Sequence, residues 1–334
     1  MSKTISQIVD LASAFYGSAV LFSSLDLGIF NAIEDCGGKA DIEKLSRETS
    51  LSPRGLELLL DACVAEGLLE KDGSFYSNTQ AGKMSLITGA PADLSKAIKY
   101  NRDVYPLWGK LNDFVKTGKP VEPPQVHLGD DPSRTRAFAL SMRGRAFAIG
   151  RSVVPMIDLT GVEKLLDLAG GPGAYAELLV RANPNTSCVT VDLPAISAVA
   201  KECIKDAGLS ERIECRAGDY HSDEYENEAY DAVTIFGALH QESPEDIDSI
   251  LARSCRALKK GGKIFILDMM TDASHTSPSF SALFGLNMAL STENGRVFSD
   301  VELKEQMNNA GFDTFETLQV PPPMPHWLVR GIKR

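Results

Sequence analysis

The sequence predicts an α/β fold built on a Rossmann-like, largely parallel sheet, preceded by a helical domain of winged-helix type. Three observations carry that prediction. The stretch Leu165-Leu166-Asp167-Leu168-Ala169-Gly170-Gly171-Pro172-Gly173-Ala174-Tyr175-Ala176 reads as an apolar strand, a glycine turn and the start of a helix. From Lys164 onward strand and helix patterns alternate, which implies parallel strands with helices on both faces. Residues 41–84 run helix, helix, hairpin, which is the rhythm of a winged helix.

In chain order, residues 4–33 predict two helices, with Ile5, Ile8, Val9, Ala12, Phe15, Tyr16, Ala19 and Val20 at helical spacing. So apolar a face needs a partner surface, either a second subunit or its own domain. Asp10, Ser23, Ser24 and Asp26 interrupt the run, which argues against a membrane span. Asp41 opens a short helix. Ser52-Pro53 then supplies an N-cap and a first-turn proline for a helix that Gly67 ends. Leu68–Glu70 and Ser74–Ser77 predict a hairpin around Asp72-Gly73. Residues 1–90 hold seven Lys/Arg against twelve Asp/Glu, a balance of −5. Phosphate contact needs the opposite sign, so this domain is read as a dimerising module and not a DNA reader.

Residues 91–158 read as a helical linker with two long helices, 92–117 and 132–158, punctuated by Tyr105-Pro106, Gly118-Lys119-Pro120 and Pro123-Pro124. Phe138, Met142 and Phe147 face either a core or an apolar ligand pocket, while Arg134, Arg136, Arg143, Arg145 and Arg151 read as a solvated face.

Residues 159–334 form the sheet domain. Strands are predicted near 164–169, 187–192, 212–216, 230–236 and 263–268, with helices near 173–182, 194–207, 244–259, 278–291 and 299–310. Ser243 caps the helix at 244, with Pro244 next and Asp246 at the reciprocal capping position; Lys259-Lys260 and Gly261-Gly262 stop it. Phe312–Leu318 and His326–Ile332 look like paired strands joined through Pro321-Pro322-Pro323.

The balance of 34 basic and 45 acidic residues, net −11, argues against nucleic acid or anionic membrane as partner. The six cysteines are scattered without a C-x-x-C pair, and no signal peptide is visible, so a reducing cytoplasm is expected.

Ligands of such sheets bind outside the carboxyl ends of the strands. Gly170 and Gly171 let the backbone turn and take positive φ, and Gly173 leaves room for a ligand or another backbone. Asp192 ends the second strand about 20 residues after the turn, where an acid accepts from both ribose hydroxyls of an adenosine. Asp167, just before the glycines, suits a cationic ligand better than a pyrophosphate. Asp219 is placed either to accept from an adenine amino group, with Tyr220 beside the ring, or simply to cap its turn. His240 follows the fourth strand and faces the crevice, as a general base would.

Asp167–Gly173, Val191–Pro194, Ala217–Tyr220, Ala238–Gln241 and Gly261–Asp268 together resemble the ordered motifs of the S-adenosylmethionine-dependent O-methyltransferases of the caffeate/hydroxyindole type and their bacterial relatives. The resemblance covers nearly the whole chain. It implies a winged-helix dimerisation domain over 1–90, a homodimer, and a methyltransferase domain over 159–334. It implies that S-adenosyl-L-methionine is held by Asp167, Gly170, Gly171, Gly173, Asp192, Leu193, Asp219, Tyr220 and Phe236. It implies that His240 takes the proton of an acceptor hydroxyl on a small, apolar, aromatic molecule. Phe138, Met142, Phe147, Phe284 and Met288 are the candidate acceptor pocket, and no metal is expected.

This sequence departs from the family pattern in three places. Gln241-Glu242 follows the base where Asp-Trp is common. Phe236 stands where the plant enzymes have lysine. Val297 falls where they carry the acid that helps orient the base, leaving Glu242 or Glu293 as substitutes. Enzymes of the same fold that bind the cofactor without transferring methyl stay open as an alternative, as does a small-molecule-sensing DNA regulator. An NAD-dependent oxidoreductase is disfavoured by Asp167.

Overall fold

Glycine and proline positions decide where the helices of the N-terminal part begin and end. The computed structural model describes residues 2–90, 93–122, 132–322 and 324–334, so Pro123-Pro124 and Pro323 lie outside the described residues. The chain forms two units, Met1–Asp103 and Val104–Arg334, and the boundary between them falls within the segment 91–158.

In the first unit α1 (Ile5–Ser13) opens with a capping box between Thr4 and Gln7, and α2 (Phe15–Asp26) follows directly. α3 (Ile29–Asp35) starts after Gly28 enters the left-handed region at φ +67°. The two helices predicted over 4–33 are therefore three, because glycine takes that turn without steric cost. Ile5–Asp26 is long and apolar enough, by length and composition, to cross a membrane. Ile5, Val9, Leu11 and Tyr16 each leave more than half of their surface exposed in this unit. α4 (Ile42–Thr49) is capped by Asp41, whose Oδ1 accepts the Lys44 N–H at 2.8 Å. α5 (Pro53–Ala65) starts at its proline, but Ser52 makes no side-chain cap bond. β1 (Leu69–Asp72) and β2 (Phe75–Asn78) form the expected antiparallel hairpin. α6 (Gln80–Ser85) follows it. Phe30, Ile33, Leu45, Leu60 and Tyr76 are fully buried in this unit's core.

α7 (Ser95–Trp108) carries the unit boundary and α8 (Leu111–Thr117) comes after a break at Gly109-Lys110, so the long helix predicted over 92–117 is two. α9 (Pro132–Val153) ends in a 3-10 turn, Val154–Met156, where Pro155 cannot donate an amide hydrogen bond.

The sheet of the second unit contains β3 (Lys164–Leu168), β4 (Ser187–Asp192), β5 (Ile213–Ala217), β6 (Tyr230–Phe236), β7 (Leu258–Asp268), β8 (Phe312–Gln319) and β9 (Trp327–Lys333), in the order β5-β4-β3-β6-β7-β9-β8. The first five are parallel, and β9 and β8 close the edge antiparallel. The helices are α10 (Ala174–Ala182), α11 (Pro194–Asp206), α12 (Pro244–Ala257), α13 (Ser279–Ala289) and α14 (Asp300–Asn309). α12 ends at Ala257, so Lys259-Lys260 fall in β7 and not in the helix's last turn. Ser243 Oγ accepts the Asp246 N–H at 3.1 Å as expected, yet the Asp246 carboxylate takes the Ser243 hydroxyl at 2.6 Å rather than its backbone.

Side chains of alternate strand residues fill two cores. Leu166, Val233, Ile235 and Ile266 pack on Ile247, Leu251, Leu303 and Met307 of α12 and α14. Leu165, Ala232, Phe265 and Leu267 pack on Ile149, Val153, Leu179 and Ile204 of α9, α10 and α11. β3 lies between β4 and β6, where the strand order reverses. The crevice at the carboxyl ends of β3 and β6 follows from that reversal.

Candidate active site

The glycine turn that follows β3 is shaped by close packing. Ala169, Gly171 and Gly173 take positive φ of 52°, 57° and 75°. Gly170 does not, contrary to expectation. Its hydrogen is required because a Cβ there would overlap Thr190 Oγ1 and Asp167 Oδ2. The space beside Gly173 is likewise filled by the chain: a Cβ would stand 3.1 Å from Ile204 Cδ1 of α11. Gly170→Ala is therefore expected to destabilise the fold by about 1–3 kcal/mol through overpacking. A lowered urea midpoint at unchanged slope is the readout.

Asp167 is the floor of this turn. It is 1% exposed, and it accepts from Thr234 Oγ1 at 2.7 Å and Thr190 Oγ1 at 3.2 Å. Burial pushes its carboxyl up to about 6 against the pull of the two threonines. Among the described residues no cation pairs with it. A buried acid without a counter-charge favours the arrival of a positively charged ligand. Asp192 spans the turn from the end of β4: its Oδ2 accepts the Gly171 N–H at 2.7 Å and its Oδ1 the Leu193 N–H at 2.8 Å. Burial raises its pKa over those two backbone bonds. Leu193, next to it, is part-exposed at the N-terminus of α11.

Arg143 corrects the expectation of a solvated arginine face on α9. Its guanidinium donates to the Pro172 carbonyl at 2.9 Å, pairs with the buried Glu177 at 2.5 Å and lies over Phe147 at 4.8 Å. It therefore braces the glycine turn from outside. Phe147 stands there with it, and Phe138 and Met142 are half-buried on the same helix. Phe236 is buried edge-on against Tyr175, ring centroids 5.0 Å apart.

His240 sits on a 3-10 turn, Leu239–Gln241, just past β6. Its Nδ1 faces Asp268 Oδ1 at 2.6 Å, and its backbone N–H donates to Asp268 Oδ2 at 3.2 Å. Asp268 also accepts the Met269 N–H at 2.7 Å and is 1% exposed. An anionic acceptor at Nδ1 places the ring's proton on that nitrogen and leaves the Nε2 lone pair free. The His240 ring meets Phe284 edge-on at 5.1 Å, and Phe284 packs with Met288, Met269 and Val297. Of the five expected pocket residues, Phe284 and Met288 are thus the ones drawn together beside His240.

Sequence reasoning looked for the orienting acid at Glu242 or Glu293, and neither touches His240. Glu293 is exposed. Glu242 takes the Tyr220 hydroxyl at 2.6 Å and His221 Nε2 at 2.7 Å. Asp268 was visible as a strand-end residue, and the pairing of β6 with β7, Phe236 opposite Leu267, is what brings it to the base. Asp219 Oδ1 accepts the His221 N–H at 2.9 Å, the turn-capping arrangement, with its other oxygen left over. His326, also missed, is 7% exposed, and its Nδ1 has no partner among the described residues. It precedes Trp327, which pairs with Asp268. Burial, with Arg145 nearby, lowers its pKa to about 4.

Comparison with known proteins adds a family to this geometry. A model of the O-methyltransferase domain matches residues 108–313, and one of the O-methyltransferase dimerisation domain matches residues 9–88. The chain is similar to a 3-hydroxy-5-methyl-1-naphthoate 3-O-methyltransferase of Streptomyces sahachiroi, 29% identical over 98% of this chain and 94% of that one. It is equally similar to the tetracenomycin polyketide synthesis 8-O-methyl transferase of Streptomyces glaucescens, 29% identical over 95% and 94%. The crystal structure of human N-acetylserotonin methyltransferase in complex with S-adenosylmethionine superimposes with a TM-score of 0.87 at 26% identity, covering 99% of both chains.

Proposed function

We propose, because the chain belongs to the S-adenosylmethionine-dependent O-methyltransferases, that it methylates a hydroxyl of a small aromatic molecule with His240 as general base. The observation that carries this reading is the His240–Asp268 pair at the mouth of the crevice, with Nε2 free beside the Phe284 ring.

When bound, the cofactor would supply an electrophilic methyl group on a sulfonium, whose carbon–sulfur bond breaks to leave a neutral thioether. The uncompensated Asp167 favours that charge, and the backbone of Gly170, Gly171 and Gly173 gives the methionine part its bed. Asp192 takes the ribose with the lone pairs that Gly171 and Leu193 leave over. Leu193, Asp219 and Tyr220 flank the adenine, and Phe236 with Tyr175 walls the crevice below.

At the acceptor side His240 Nε2 removes the hydroxyl proton as the oxygen forms its new bond. Asp268 then faces an imidazolium and stabilises it. A phenol has a pKa of about 10, so it needs this help near neutrality. Alignment in a dry crevice contributes more, up to ~7–11 kcal/mol in favourable cases. Phe284 and Met288, joined by Met269 and Val297, offer an apolar bed for a flat ring. The 3-hydroxy-5-methyl-1-naphthoate named for one bacterial relative is a flat hydroxylated ring of that kind. Phe138 and Met142 complete the pocket from α9, while Phe147 stays under the Arg143 guanidinium.

The first unit serves as a winged-helix module that pairs two copies, and the exposed apolar face of α1 and α2 is its contact surface. That contact accounts for the apolar run Ile5–Asp26 in a cytoplasmic enzyme.

Calorimetric titration with S-adenosylmethionine and with NADH tests the cofactor site. Saturable binding of the sulfonium with none of NADH is expected. Binding of NADH alone would remove the account given for Asp167 and the glycine turn.

A further inference from the structure

We propose that His221 is a positioning residue: it clamps the adenine loop after β5 onto the turn that carries His240. The inference rests on the reading above that Asp219 and Tyr220 meet the adenine.

The His221 ring lies between two carboxylates, with Nδ1 2.8 Å from Asp219 Oδ1 and Nε2 2.7 Å from Glu242 Oε2. Both nitrogens face acceptors, an arrangement that only the imidazolium, with a proton on each nitrogen, satisfies in full. Glu242 is 5% exposed and caps the turn Leu239–Gln241. Its second oxygen takes the Tyr220 hydroxyl at 2.6 Å, and the Tyr220 ring stacks on His221 with centroids 4.5 Å apart. β5 and β6 are not neighbours in the sheet, so this clip joins two otherwise separate strand ends.

The other groups around it are Asp223, whose carboxylate accepts the Asp219 N–H at 3.1 Å, Gln241, whose amide reaches the Tyr220 hydroxyl at 3.4 Å, and Arg253 of α12, which donates to the Tyr220 carbonyl at 3.0 Å. Burial works against the charge on His221, and the bonds to Glu242 and Asp219 outweigh it, so its pKa is raised above 6.5. A group raised in this way holds its contribution below the ordinary value and loses it as pH climbs through the raised one. A neutral ring keeps one donor, and one carboxylate then faces a lone pair. The clamp loosens, with the Tyr220 hydroxyl still held by Glu242 and Gln241, and cofactor affinity falls on the alkaline side.

The test is calorimetric affinity for S-adenosylhomocysteine from about pH 6.5 to about pH 9 in wild type, His221→Gln and His221→Arg. Wild-type affinity is expected to fall roughly tenfold across this range. His221→Gln should be about tenfold weaker at the acid end and flat thereafter. His221→Arg keeps a permanent cation and should hold acid-end affinity throughout. Should His221→Gln fail to fold, the slope of wild type against His221→Arg decides alone. Parallel profiles in wild type and His221→Arg would overturn the clamp and leave the cofactor reading standing. Absence of binding by wild type at every pH would overturn the cofactor reading and this inference with it.

Discussion

Replacing His240 with alanine is expected to lower kcat by about 10²–10⁴ while leaving the affinity for S-adenosylmethionine unchanged. The separation follows from where the ring sits. Its Nδ1 is engaged by Asp268 and its edge by Phe284, both on the acceptor side of the crevice. The groups assigned to the cofactor, Asp167, Asp192 and the glycines, are held by Thr234, Thr190 and backbone amides that do not involve the imidazole. The readouts are cofactor titration and release of S-adenosylhomocysteine under saturating cofactor. Loss of cofactor binding together with turnover would move His240 from base to structural support.

Asp268→Asn is expected to approach the same loss, about 10²–10⁴ in kcat, with the fold preserved. Asparagine keeps the shape of aspartate, but Asp268 uses one oxygen, Oδ1, for both the Met269 N–H at 2.7 Å and His240 Nδ1 at 2.6 Å, and the other, Oδ2, for the His240 N–H at 3.2 Å. Its amide nitrogen meets an N–H whichever way it turns: the His240 N–H at the Oδ2 position, or the Met269 N–H and the Nδ1 side of the ring at the Oδ1 position. In the second orientation the donor forces the ring's proton onto Nε2, where a lone pair is needed, and in the first a buried N–H loses its acceptor. The neutral amide also gives the imidazolium nothing to lean on as it forms. Since the two residues act as a unit, His240→Ala/Asp268→Asn should be no slower than His240→Ala alone. Additive losses would mean that Asp268 acts independently of the base.

Local chemistry made much of the fold legible. A strand that is apolar throughout, glycines that must turn, and Ser243-Pro244 or Asp41 as caps are decisions taken within a few residues, and the structure follows them. What failed was longer in reach. Gly28 splits a helical run whose periodicity continues across it, because it takes a left-handed φ of +67° between α2 and α3. Arg143 looked solvated because Glu177 and the Pro172 carbonyl lie far from it along the chain. Gly170 was read for its φ when its role is to let Thr190 and Asp167 approach.

The site divides in the same way. Asp167, Asp192 and His240 could be picked out because each lies at or just past the carboxyl end of a strand, on the ligand side of a parallel sheet. Their partners come from neighbouring strands. Thr234 reaches Asp167 from β6, and Asp268 reaches His240 from β7. A search along the chain for the acid led to Glu242, which is two residues from the base yet turned toward Tyr220 and His221. Strand register, not spacing, chooses between them.

The central claim is that His240, oriented by Asp268, takes a proton during methyl transfer to an aromatic hydroxyl. Its most direct test is the release of S-adenosylhomocysteine by wild type and His240→Ala side by side, over a panel of hydroxylated aromatic acceptors at saturating cofactor. Wild type should release one S-adenosylhomocysteine for each O-methylated product, and His240→Ala should do so about 10²–10⁴ times more slowly. Equal rates from the two proteins would contradict the account.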